Sequence, residues 1–139
     1  MAMHLDFVVP GPPISNQQST AQGRANLTVW RATIAGAAAL AWPNAPLTVE
    51  LKAVIINFYA GTEPSVDIDN MSKAILDEMQ GIAYDNDRQI IQAELTHARL
   101  NGAYQIGGVR PNIVNALQAQ MQFVYVRIED PVTPLPLPK

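Results

Sequence analysis

The sequence predicts a single α/β (α+β) domain in which a mixed sheet of four strands packs with about two helices. Three observations predict it. The chain has 139 residues, 48% of them hydrophobic and only 15% charged, enough for one core and cramped for two. Four segments carry strand patterns, at residues 3–9, 47–59, 90–100 and 121–128. Between the second and third strands lies a segment of helical period, and a strand, helix and strand in that order return the chain beside its starting point.

In residues 3–9, Leu5, Phe7 and Val9 fall on one side and His4 and Asp6 on the other, until prolines stop the strand at Pro10, Pro12 and Pro13. His4 reads as a solvated strand residue without a role. Residues 15–24 are polar, with Gln17, Gln18 and Gln22 among them, and read as a connecting loop. Residues 27–42 predict a helix, because Trp30, Ile34, Ala37 and Ala41 recur at helical spacing and alanine is the best helix former. Pro43 ends it. Arg31 lies off that apolar stripe, and both tryptophans read as packing residues. The strand at 47–59 alternates at first and is then apolar on both faces through Val54, Ile55 and Ile56, the pattern of a central strand.

Gly61 and Pro64 break that strand before Asp67. In an extended segment Asp67 and Asp69 project to one side while Ile68 faces the core. Asp69 or Asn70 is a good N-cap for the helix that follows, whose apolar positions are Met71, Ile75, Met79 and Ile82. Lys73 then lies one turn beyond Asp69 on the same face, with Asp77 a turn further, and Gly81 ends the helix. The turn-rich run Tyr84-Asp85-Asn86-Asp87-Arg88-Gln89 leads into the strand at 90–100, which is expected to neighbour 47–59. Asn101-Gly102 and Gly107-Gly108 signal turns, a weak helical pattern starts near Pro111, and 121–128 reads as the final strand. A proline-rich tail at 131–139, extended or disordered, follows a domain at 1–130.

If the crossover returns as expected, Asp85 or Asp87 comes close to Asp67 and Asp69. Crowded carboxylates raise one another's pKa unless a divalent cation neutralises them, and hard oxygen ligands favour magnesium or manganese. The chain has no cysteine for a softer site. Taken singly, an aspartate at a helix start more often caps the helix, and an Asp-Asn-Asp run more often makes a turn. A calcium loop is excluded, since neither acidic run has the required glycine and distal glutamate.

These residues resemble the RusA family of Holliday junction resolvases. The resemblance lies in Asp67-Ile68-Asp69-Asn70, Lys73, Leu76-Asp77, Tyr84-Asp85-Asn86-Asp87 and Gln89-Ile90, with a weaker likeness in the Val9–Pro13 turn and Ser15-Asn16. It implies a RusA-like fold in which Asp67, Asp69 and Asp87 bind Mg2+, or Mn2+, and Lys73 is an essential lysine. Asn86 stands where the family has the first aspartate of a pair, and Asp85 is displaced one residue earlier, so Asp85 is a further candidate ligand. Asn16, Arg24, Arg31 and Arg88 become candidate DNA-binding residues. Also implied are a homodimer, a four-way DNA junction as substrate and paired phosphodiester hydrolysis in recombination and repair. Residues 104–119 exceed the family's usual connection and read as an insertion.

Charge points the other way. A net charge of −3 sits poorly with phosphate binding, unless Arg24, Arg31, Arg88, Arg99, Arg110 and Arg127 gather into a stripe. Two other readings therefore stand beside the nuclease: a non-cleaving module that binds branched DNA or a protein, and a metal-dependent phosphohydrolase for a small substrate. No run of about eighteen apolar residues and no basic-then-apolar leader occurs, so a cytoplasmic protein not associated with a membrane is expected, and the resemblance implies a bacterial or phage origin and association with the nucleoid.

Overall fold

A computed structural model describes residues 2–139. Its elements are β1 (Met3–Pro10), α1 (Ala21–Ala41), β2 (Leu51–Tyr59), α2 (Ile68–Glu78), β3 (Ile90–Arg99), α3 (Pro111–Gln118) and β4 (Phe123–Glu129). The four strands form one sheet in the order β1-β4-β2-β3. Strand β4 runs antiparallel to both β1 and β2, while β2 and β3 are parallel and joined through α2. The fold is thus the expected mixed four-stranded α+β domain, with a third helix.

Alternation along the strands sends the apolar set to one face. Leu5, Phe7 and Val9 of β1, Leu51, Ala53 and Ile55 of β2, and Val124, Val126 and Ile128 of β4 are all buried there. Trp30, Ile34 and Ala38 of α1 and Met71, Ala74, Ile75 and Met79 around α2 close over them. Each fully buried aliphatic side chain of this kind contributes roughly 1.5–3 kcal/mol, which fixes α2 against the sheet and so fixes what its other face presents. On the reverse face Phe58, Phe123 and Tyr125 pack under Ile113, Ala116 and Leu117 of α3. Phe58 and Phe123 stack with ring centroids 4.5 Å apart.

Several boundaries differ from the sequence expectation. Helix α1 starts at Ala21, not Leu27, because Thr20 is its N-cap and accepts from the Gly23 amide at 2.9 Å. Gly23 also leaves room for the Gln18 side chain, which a β-carbon there would meet. Arg24 therefore stands on the helix rather than in a loop. Strand β2 starts at Leu51, and Leu47 instead forms an isolated bridge with Tyr84. Strand β3 is an exposed edge, with Ile91 49% accessible where the β2–β3 register shifts. The C-terminal tail has no regular structure, yet Val132 exchanges two hydrogen bonds with the Gln92 side chain, at 2.8 and 3.1 Å. Among the described residues no helix is long and apolar enough to cross a membrane.

Candidate active site

Helix α2 begins two or three residues earlier than its sequence suggests. Asp67 is the N-cap, with extended backbone and no capping hydrogen bond from its side chain, so Asp69 already sits in the first helical turn. The expected picture of two aspartates on one extended segment is corrected: one carboxylate precedes the helix and the other lies within it. Both are exposed, and among the described residues neither makes a side-chain hydrogen bond or an ion pair. Two negative groups at the positive end of a helix dipole are electrostatically supported without being neutralised.

One turn on, Lys73 donates to Asp77 at 3.0 Å on the solvent side of α2. The hydrogen bond and charge of Asp77, with a smaller contribution from nearby Asp87, hold the Lys73 ammonium above its ordinary pKa. Lys73 therefore stays a cation across the physiological range.

The turn carrying the later acids is fastened by three side chains that carry no charge, Tyr84 and Gln80 tying it to α2 and Gln89 tying it to the segment before β2. Tyr84 is fully buried and donates its hydroxyl to the Leu76 carbonyl at 2.7 Å. Burial, then the charges of Asp87 and Asp77, push that phenol well above its usual range, so it remains a donor. Gln80 accepts the Asp87 amide at 2.9 Å while its NH2 reaches the Asp77 carbonyl. Gln89 accepts the amides of Asp85 and Asn86, both at 2.9 Å, and donates to the carbonyls of Leu47 and Val49. Asn86 caps the 3₁₀ turn Asp87–Gln89 by accepting from the Arg88 amide. Asp87 is thereby held near Lys73, its carboxylate unbonded among the described residues, whereas Asp85 and Arg88 are exposed. Sequence reading gave no role to Gln80 or Gln89. Gln89 stands only as part of the resemblance, without a task, and Gln80, an amide near turn-formers, is too common a signal to single out.

Helix α1 completes the site. Arg31 donates to Asn16 and pairs with Glu78 of α2 at 3.5 Å, so two of the candidate DNA-binding residues meet beside Lys73. Glu78 was not anticipated as their partner. Arg24 lies exposed near the start of α1, without an acidic partner among the described residues.

The arrangement offers exposed oxygen donors, the chemistry a hard divalent cation takes. Asp67 and Asp69 are bare, and a third donor is available from the Asp85–Asp87 turn. Among the described residues, however, no three acidic, histidine or cysteine side chains lie close enough to form a ready-made metal cage. A family model described as "Endodeoxyribonuclease RusA" matches residues 10–113 of the chain, which spans every side chain of this site. A search of curated protein sequences finds no match.

Proposed function

The chain belongs to the RusA family of endodeoxyribonucleases, and from that premise we propose that it resolves four-way DNA junctions by paired, metal-dependent hydrolysis of phosphodiesters. The observation that carries this reading is the pair of bare carboxylates, Asp67 and Asp69, at the positive end of α2, beside a lysine and a fastened Asp87.

Asp67, Asp69 and a carboxylate of the Asp85–Asp87 turn would hold Mg2+ or Mn2+. The bound ion would supply an activated water and neutralise charge on the departing oxygen. Lys73 presents a permanent positive charge to the phosphate and stabilises charge that develops on it. Gln80 ties the Asp87 turn to α2 and Gln89 ties it to Leu47 and Val49, both through neutral hydrogen bonds, which leaves the carboxylates available. Arg31 and Asn16 contact the sugar-phosphate backbone from the α1 side. A homodimer suits a substrate with two-fold character, since each copy would make one of the two nicks.

A small-substrate phosphohydrolase is the second reading. The net charge of −3, and the engagement of Arg31, Lys52, Lys73, Arg110 and Arg127 by carboxylates, favour it. The deciding experiment incubates a synthetic four-way junction with wild type or Asp69→Asn, with magnesium, manganese or chelator. Symmetric nicks by wild type alone, and only with metal, are expected. Absence of nicking under every metal, alongside hydrolysis of a small phosphodiester, would replace the nuclease with the second reading.

A further inference from the structure

Nine lysines and arginines oppose twelve acids in this chain, so each cation not engaged by a carboxylate matters to an anionic substrate. Among the described residues Arg31, Lys52, Lys73, Arg110 and Arg127 sit on carboxylates, and Arg24, Arg88, Arg99 and Lys139 do not. Of these four, Arg99 alone has its charged group held by another side chain. Its Nε donates to the Tyr59 hydroxyl at 3.2 Å, which leaves the two terminal nitrogens of the guanidinium free.

The support beneath that contact is layered. Tyr59 is only 8% exposed and meets the His97 ring edge-on at 6.2 Å. The His97 Nδ1 in turn accepts from the fully buried Asn57 amide at 3.1 Å. Tyr59 and Arg99 are register partners at the ends of the parallel strands β2 and β3. A guanidinium aimed by a rigid phenol loses little side-chain freedom when it binds, and its free fork matches two phosphate oxygens. An open cleft of about 570 Å³ shares the Tyr59 side of this support and is lined by Tyr59, Ala60, Gly61, Leu100, Asn101, Leu117 and Gln120. Arginine and tyrosine side chains are both among the groups that contact backbone phosphates.

Topology relates this end of the sheet to the acids. The chain leaves Tyr59 and reaches Asp67 through residues 60–67, so α2 starts at the end of the sheet where β3 finishes. We propose that Arg99, oriented by Tyr59, binds a backbone phosphate of the DNA strand next to the cleavage site. The proposal rests on the endonuclease reading and adds to it a phosphate subsite outside the acidic site and its α1 contacts.

The test measures binding of a four-way junction, without divalent metal, over roughly 50–200 mM salt, where each lost phosphate contact lowers the slope of log K against log salt by about 0.9. Arg99→Ala is expected to lower that slope by about one and to weaken binding equally for every junction sequence, while melting as wild type does. Tyr59→Phe is expected to keep the slope and weaken binding less. Lys139→Ala, which removes one cation from the tail, should leave both unchanged. An Arg99→Ala slope and affinity equal to wild type would overturn the subsite while leaving the endonuclease standing. An equal slope loss in Lys139→Ala would also overturn it, by showing general charge instead of a site. If wild type neither binds nor cuts the junction, the endonuclease reading and the subsite fall together.

Discussion

Two carboxylate sites lie on opposite faces of the sheet and could hardly be treated more differently. Asp6, on the α3 side, has a side chain only 7% exposed and accepts from Arg110 at 2.9 and 3.3 Å, Tyr125 at 2.9 Å and Asn112 at 3.2 Å. Burial alone would raise its pKa, but those donors outweigh it and hold the group below its ordinary value. The Asp67 and Asp69 carboxylates, on the α2 side, are exposed and bonded to nothing among the described residues. A carboxylate that serves the fold is surrounded by donors. One that is left bare at a helix start is open to solvent and to whatever binds from it.

The comparison breaks most sharply under substitution. Asp69→Asn should abolish junction cleavage while shifting stability by at most about 1 kcal/mol, since it loses only a helix-dipole interaction. Thermal melting beside a nicking assay checks both halves, and a collapse of the fold would move Asp69 into the structural class. Lys73→Gln should lower cleavage by about 10², the scale of losing one stabiliser of transition-state charge. Its melting should hardly change, because the exposed Lys73–Asp77 pair adds little to stability.

Asp6→Ala should do the reverse. Its loss leaves Tyr125 and Asn112 without their acceptor and is expected to cost about 2–4 kcal/mol in denaturant unfolding. The nicking rate of the folded fraction should match wild type. The smallest effect is a pH effect. Because folding lowers the Asp6 pKa, its contribution is complete above the unfolded value and is lost as the pH falls through the folded one. Wild type should therefore lose stability below about pH 4, more steeply than Asp6→Asn, as followed by urea midpoints across acid pH.

How these two sites read in the sequence also differs. The α2 strip was legible because Asp69, Lys73 and Asp77 recur at four-residue spacing, and because local periodicity already places Met71, Ile75 and Met79 inward. The exact cap was not legible: Asp67, Asp69 and Asn70 are all good N-caps, and only the backbone after Pro64 decides among them. Asp6 carried no signal at all. Its partners lie 104 to 119 residues away, and no local pattern marks a contact of that range. The start of α1 was missed for a related reason. Gly23 and the glutamines before it look like loop, and the Thr20 cap is recognisable only once the Gly23 amide is seen bonded to it. The pairing of Arg31 with Glu78 depends on how α1 crosses α2, which spacing within either helix does not specify.

Strand β4 follows the other three strands in the chain yet lies between β1 and β2. During synthesis, then, β1 can find no neighbour in the sheet until residues 123–129 have emerged, whereas β2, α2 and β3 already form a contiguous unit with each other. The stretch from Asp67 to Asp87 can take shape within that unit while the ribosome is still adding residues. Strand β4 then completes the sheet with β1, while α1 packs on both β1 and α2. Contacts that close within β2, α2 and β3 favour early ordering of the acidic stretch, and the sheet as a whole waits for its last strand.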